Sequence, residues 1–303
     1  MKTVMNVKTL VVLGLKISIL TFILFFCYMV ASMAVGLEGF FLQTDGSTDT
    51  ITTLLTVSTL QTIVMSYPII RSRWGGWRLV VSVFFIFFGV ATFLSQIETI
   101  VFLEYLANIV SAETIPKLFM QGAIVAALFS PFAVLICGKM NKVEELQESN
   151  QRMLMYWTER VWKLALIAVI YVVIYISFGM FVFMPLAGEA FHEYYAGLQL
   201  PGWILLLQMA RAMIWTALAL PVIHMMKGSW REAGLAVALL FSVLMGSQLL
   251  LPNEFMPDRI RIAHFVEISS SNFLFGWIIV WLMSHHNSPR EIFRWWKKPD
   301  GQL

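Results

Sequence analysis

The sequence has few charged residues, and this scarcity sets the class of protein. Asp, Glu, Lys and Arg make up 13% of the 303 residues, whereas a soluble domain contains about 25%. Hydrophobic residues make up 59%, which is more than the core of a water-soluble protein of this length needs. The net charge is only +3 and the basic residues form no single stripe, so no nucleic-acid partner is expected.

Cysteine and familiar catalytic motifs are also scarce. Cys27 and Cys137 are the two cysteines, and both fall inside apolar runs, so we expect small buried residues rather than a disulfide framework or a cysteine metal site. The sequence contains no HExxH, no GxSxG and no phosphate-cradling glycine loop. It therefore assigns no resident metal, identifies no cofactor and leaves open whether the protein is an enzyme.

The sequence has instead eight long apolar runs. The bilayer core is about 30 Å thick and takes roughly 20 helical residues to cross. The runs lack the alternation of barrel strands, so only helices can satisfy their backbone in lipid. We predict one all-α, polytopic membrane domain over residues 1–303, embedded in the lipid bilayer. The predicted spans are 11–36, 51–70, 78–96, 118–138, 163–184, 202–225, 232–251 and 262–284.

The basic residues take one side of this arrangement. Sixteen of the 21 Lys and Arg fall in the tails or in alternate connections, which by the positive-inside rule places both termini in the cytoplasm. Lys16, just inside the first run, reaches the same face along its own stem. We predict a multi-pass protein of the plasma or inner membrane. The sixteen are Lys2, Lys8, Arg71, Arg73, Arg78, Lys139, Lys142, Arg152, Arg160, Lys163, Lys227, Arg231, Arg290, Arg294, Lys297 and Lys298.

Three connections carry structure of their own in this interpretation. Segment 97–117 mixes apolar and acidic residues and predicts an interfacial helix, and segment 139–162 predicts an amphipathic surface helix. Segment 185–201 begins and ends with Pro185 and Pro201, which indicate a break in the helix. In its interior, Glu189, His192 and Glu193 are either solvated or join the polar residues of the outer half from above, and Tyr194 and Tyr195 form an interfacial anchor or a lid.

Arg211 lies near the middle of the sixth predicted span. A charged side chain at that depth is costly and normally faces protein or a wet cavity, with a partner. Gln208, Arg211 and Trp215 share one helical face. The arginine either locks helices together through an ion pair or binds an anionic ligand, since its guanidinium suits carboxylate and phosphate.

The eighth span supplies the partner that the sequence favours for Arg211. His264 and Glu267 lie three residues apart on one face, and Asn272 extends the polar patch. The pair is typical of a structural contact, of two metal ligands, or of an acid/base pair in which the carboxylate orients the imidazole. Glu98, at the outer end of the third span, is a second possible partner for Arg211 or His264.

The second span carries a stripe of hydroxyls, formed by Thr52, Thr56, Thr59 and Ser66. Small polar residues let membrane helices pack closely, and the alternative is the lining of a wet path. No internal repeat relates the two halves of the chain, although many secondary transporters have one.

Three functions remain open on these residues. The first is a site in the outer half of the membrane for a lipid-like or small anionic ligand, with His264 and Glu267 as catalytic residues. Its ligand-binding residues are Arg211, Gln208, Glu98 and Asn272. The second is a transporter or channel for a small solute, and the third is a structural or assembly protein. The sequence indicates no oligomeric state.

Overall fold

The protein is almost entirely helical. The computed structural model describes residues 7–37, 47–101, 113–141, 157–198, 200–252 and 256–285. Of these residues, 87% are helical. Within the same ranges, the β-structure consists of one isolated antiparallel bridge between Ser72 and Met226. The all-α prediction is therefore confirmed.

Eight of the helices are long and apolar enough to cross a membrane, as predicted. Each coincides with one of the eight apolar runs, and the short α6 is the remaining one in the described ranges. The helices are α1 Val7–Val35, α2 Ser47–Ile70, α3 Gly76–Val101, α4 Thr114–Ile136, α5 Trp157–Ala187, α6 Glu189–Tyr194, α7 Ile204–Met225, α8 Trp230–Leu250 and α9 Asp258–Ser284.

Two of the long helices contain a π turn that extends them past their predicted ends. In α3 the turn is Gly89–Phe93, and the helix then continues to Val101 rather than ending at 96. In α5 the turn is Gly179–Phe183, and Met184 separates it from Pro185, whose missing N–H cannot join the regular hydrogen-bond ladder. The break expected at Pro185 therefore falls later, at Gly188.

Gly188 reverses the chain between α5 and α6. Its φ of +57° and ψ of −134° lie in a region that favours glycine, and its N–H donates to the carbonyl of Met184 over 3.0 Å. We expect Gly188→Ala to lower the free energy of unfolding by about 1 to 3 kcal/mol, because an L side chain is strained there. Thermal unfolding in detergent would measure the loss, and an unchanged midpoint would contradict it.

At one end of the bundle, backbone hydrogen bonds join the segment that follows α2 to the end of α7 and the residues after it. The N–H of Arg73 donates to the carbonyl of Met225 over 2.7 Å, and the N–H of Lys227 donates to the carbonyl of Arg71 over 3.2 Å. Arg71 also forms an ion pair with Glu232 at 2.5 Å, and this hydrogen bond raises the pKa of its guanidinium. We call this end the basic face, after Arg71, Arg73 and Lys227, and the opposite end the distal face.

The tightest helix packing joins α8 to α9. Gly234 and Gly246 of α8 both lie against side chains of α9, and Gly276 of α9 faces the backbone of Ala238. Small residues let two backbones approach closely where lipid supplies no hydrophobic drive for association. This pairing fixes α9, which carries His264 and Glu267, against the centre of the bundle.

The two predicted surface helices fall largely outside the described residues. Residues 102–112 and 142–156 belong to that part of the chain, so segments 97–117 and 139–162 are described only at their ends. At those ends, residues up to Val101 continue α3, and residues from Trp157 onward already belong to α5.

Candidate functional site

Arg211 is the centre of a buried polar cluster between α3 and α7. Its side chain is 3% exposed, and its Nη1 forms an ion pair with Glu98. Nη1 also donates to Oε1 of Gln208 over 2.9 Å, and Nη2 donates to the carbonyl of Leu94 over 3.2 Å. The cluster therefore joins two spanning helices through one guanidinium.

The carboxylate that pairs with Arg211 is Glu98, whereas the sequence favours Glu267. The π turn in α3 explains the difference, because the helix continues beyond it and carries Leu94 and Glu98, four residues apart, on the side that faces α7. Glu98 keeps 26% of its side chain exposed. The cluster is thus closed at the arginine and partly open at the carboxylate.

Tyrosines of α5 lie between this cluster and α9. The guanidinium carbon of Arg211 is 6.0 Å from the ring centroid of Tyr171, and the indole of Trp215 donates to the Tyr171 hydroxyl over 3.2 Å. Tyr171 and Tyr175 both interact electrostatically with Arg211, Glu98 and Glu267. The two polar groups that the sequence singled out therefore lie within electrostatic reach of the same pair of tyrosines.

His264 forms a second cluster, in which three residues make one hydrogen-bonded chain. Its Nδ1 is 3.1 Å from Oε2 of Glu267, and its Nε2 is 2.9 Å from the hydroxyl of Tyr195. The ring stacks on Phe183 at a centroid distance of 3.9 Å. With Glu267 ionised, Nδ1 carries the proton and Nε2 accepts from Tyr195. The contacts fix the plane of the imidazole and place a polar partner at each ring nitrogen.

Local structure explains why these residues meet. His264 and Glu267 are three residues apart in α9 and so share a face. Phe183 is the last residue of the π turn in α5, and Tyr195 follows α6 after the reversal at Gly188. The loop that the sequence marked only by its prolines thus brings a tyrosine and a phenylalanine onto the histidine.

Asn272 lies apart from both clusters. It is 6% exposed, and its Nδ2 donates to the sulfur of Met245 in α8 over 3.3 Å. On α6, Glu189, His192 and Glu193 are exposed at the distal face. The structure therefore gathers Arg211, Gln208 and Glu98 in one group, His264 and Glu267 in another, and sets Asn272 in the packing of α8 against α9.

A surface groove of about 340 Å³ lies along one face of α9, and its lining includes neither His264 nor Glu267. Four of its lining residues are apolar, and the fifth is Arg259, whose guanidinium lies against Gly188. Ala263 and Val266 of the lining directly precede His264 and Glu267 in the sequence. The groove thus joins apolar surface to one cation at the distal end. Its lining residues are Leu186, Arg259, Ile262, Ala263 and Val266.

A third polar group was not singled out as a site from the sequence. The hydroxyl of Tyr28 donates to Oε1 of Gln61 over 2.8 Å, and Nε2 of Gln61 donates to Ser247 over 3.1 Å. Gln248 donates to the Tyr28 hydroxyl over 2.9 Å. These four residues link α1, α2 and α8, and Tyr28, Ser247 and Gln248 lie in the distal halves of their helices. Neutral residues so far apart in sequence share no periodic pattern that would predict their contact. The sequence signal for this group is the polar Gln61 inside an apolar run.

The described ranges contain no group of three or more His, Cys, Asp or Glu side chains placed to hold a metal ion. His264 and Glu267 together supply two side chains that could bind a metal ion, and the third contact in this cluster is the Tyr195 hydroxyl. Comparison with protein-family models, with curated proteins and with solved structures gives no match to this chain.

Proposed function

We propose that the chain is a plasma- or inner-membrane protein with its basic face and both termini in the cytoplasm. An even number of spanning helices places both ends on one side, and Lys and Arg concentrate on the cytoplasmic side of membrane proteins. The distal face is then the outer face. Arg211, Glu98, His264 and Glu267 lie in the half of their helices nearest that face.

We propose further that the outer half holds a site that binds an amphiphilic ligand with an anionic head and transfers a proton to or from it. The observation that carries this proposal is the hydrogen-bonded chain of Tyr195, His264 and Glu267. A histidine fixed between a carboxylate and a hydroxyl is an arrangement suited to general acid/base catalysis, because the imidazole is held within hydrogen-bond reach of the group that exchanges the proton. The contact with His264 also satisfies the buried carboxylate of Glu267.

The hydrogen-bonded residues Tyr195, His264 and Glu267 can together act as a general base in one balanced step. The Tyr195 oxygen takes a proton from a ligand hydroxyl while the Tyr195 proton passes to Nε2 of His264. The ligand O–H bond breaks, a new Tyr195 O–H bond forms, and the positive charge on the imidazole is stabilised by Glu267. The reverse sequence returns the proton to a leaving group. Tyr195 and His264 are the catalytic residues in this scheme, and Glu267 positions the imidazole.

The surroundings favour an amphiphile over a water-soluble ligand. Ile262 and Leu186 in the groove are 58% and 47% exposed, so the groove presents apolar surface where lipid chains lie. Arg259 at the same groove supplies a cation suited to phosphate. Because Glu98 already balances the charge of Arg211, we assign Arg211, Gln208 and Glu98 to the polar wall of the site rather than to the main anion contact.

Lipid profiles of membranes from expressing cells would test the proton-transfer role. We expect the wild type to change the abundance of an anionic lipid class, and His264→Ala, Glu267→Gln and Tyr195→Phe to weaken that change by a factor of about 10² or more. His192→Ala is the matched control, because this exposed histidine lies on α6 and takes no part in the hydrogen bonds among Tyr195, His264 and Glu267. Folded variants with the wild-type profile would overturn the role.

Ligand binding has its own measurement. We expect phosphatidylglycerol to raise the unfolding midpoint of the purified protein more than phosphatidylcholine does, since a ligand stabilises the state that binds it. Arg259→Ala should remove most of that difference, and His192→Ala should keep it. An equal response of the wild type to both lipids would count against an anionic ligand.

A further inference from the structure

Three of the four hydroxyls in the stripe predicted for α2, those of Thr52, Thr56 and Thr59, lie outside the buried core, and only Ser66 is buried. Thr52 and Thr56 are exposed. The hydroxyl of Thr56 donates to the carbonyl of Thr52 over 2.9 Å, and that of Thr59 donates to the carbonyl of Leu55 over 2.8 Å. These hydroxyls are satisfied by their own helix, which is the usual arrangement for Ser and Thr in membrane helices.

The buried hydroxyls of α2 form a second set, which shares Ser66 with the predicted stripe. Ser58 and Thr62 are both 0% exposed, and in the described ranges neither side-chain oxygen has a hydrogen-bond partner. Ser66 continues the same spacing of four residues and is 4% exposed, with the weakly polar thiol of Cys137 beside it. On the neighbouring α1, Thr21 is 6% exposed and is also without a partner there.

The hydroxyls of Ser58 and Thr62 do not form the hydrogen bond that their own helix offers. A serine or threonine inside a helix can donate to the carbonyl four residues earlier, as Thr56 and Thr59 do. A buried hydroxyl that makes no bond loses its hydration without compensation. Packing alone does not explain why the hydroxyls of Ser58 and Thr62 lack this hydrogen bond. A small hydrogen-bonding ligand between α2 and its neighbours does explain it.

Further polar groups lie beside this set and beyond its basic end. Gln61 lies between Ser58 and Thr62 on α2, and its bonds lead to Tyr28 and Ser247 in the distal halves of α1 and α8. Towards the basic face, Nζ of Lys16 lies beside Gly138, next in sequence to Cys137. Hydrogen-bonding groups therefore follow α2 from the distal half of the membrane to the basic face.

We propose that Ser58, Thr62, Ser66 and Thr21 bind a file of water molecules that carries protons between the Gln61 network and the basic face. Each hydroxyl has one donor and two acceptor positions, so it can accept a proton from one water and give its own to the next. A proton that enters at one end releases one at the other, and no covalent bond other than O–H changes. The file lies on α1 and α2, away from the His264 chain on α9.

Proton flux into proteoliposomes tests the file directly. A trapped pH-sensitive dye would report flux driven by a potassium gradient with valinomycin. We expect flux above that of protein-free vesicles, and Thr62→Val should lower it about tenfold, the factor for one lost hydrogen bond in the limiting step. Thr59→Val makes the same chemical change at a hydroxyl bonded to its own helix and should leave the flux unchanged.

Thr62→Ser keeps the hydroxyl and should retain the flux, while Thr62→Ala should lose it, so the comparison holds if valine disturbs folding. Wild-type flux no greater than that of empty vesicles overturns the proposal, and so does equal flux through the serine and alanine variants. The lipid profile should be unchanged by Thr62→Ala. Failure of the water file and failure of the outer-leaflet site are therefore separate results.

Discussion

Replacing Glu98 with leucine is expected to lower the free energy of unfolding by about 3 to 5 kcal/mol, the range for breaking a buried ion pair by removing one partner. The substitution leaves the Arg211 guanidinium buried without its carboxylate. Gln208 and the carbonyl of Leu94 still accept hydrogen bonds from it, but neither carries a negative charge. The buried guanidinium cannot relieve this cost by losing its charge, because arginine stays protonated in proteins.

Removal of the arginine should cost less. In Arg211→Met the remaining carboxylate is 26% exposed, so Glu98 can gain hydration or a proton. The double variant Glu98→Leu with Arg211→Met removes both charges, and apolar replacement of a whole buried pair is often neutral or stabilising. We expect the double variant to be more stable than Glu98→Leu alone.

A double-mutant cycle measured by thermal or denaturant unfolding in detergent would give the coupling between the two residues. Additive single effects would contradict a paired role for Glu98 and Arg211. Coupling that appears in stability, combined with an unaltered lipid profile in the double variant, would favour the assembly role over the ligand role for this pair.

Gly276→Ala is the second change with a large expected effect. A Cβ at this position would lie 3.0 Å from Cα of Ala238 and 3.1 Å from the carbonyl oxygen of Val237. These are backbone atoms, so no rotamer change can make room and α8 must move away from α9. We expect a loss of about 1 to 3 kcal/mol, as for overpacking of a well-packed core.

Gly14→Ala is the matched control for Gly276→Ala. Gly14 also lies inside a spanning helix, and a Cβ there would meet no atom within 4 Å. Alanine is the better helix former, so this control should be neutral or slightly stabilising. Unfolding midpoints of the two variants provide the comparison, and similar midpoints would show that α8 and α9 are not held by close backbone contact.

The candidate site was predicted in part. Arg211 was recognised from the sequence because a charge in a long apolar run is conspicuous, and His264 with Glu267 because a spacing of three residues places them on one face of any helix. Tyr195 was proposed only as an anchor or lid, and its bond to His264 depends on the reversal at Gly188.

The sequence by itself determined the eight spanning helices, since lipid leaves a long apolar backbone no other way to satisfy its hydrogen bonds. Only the tertiary structure decided which polar groups meet. It paired Arg211 with Glu98 through the π turn in α3, and it turned Ser58 and Thr62 inward while Thr56 faces out. The physical reason is that helical periodicity specifies a face, whereas the partner of that face depends on the turns and close contacts that position its neighbours.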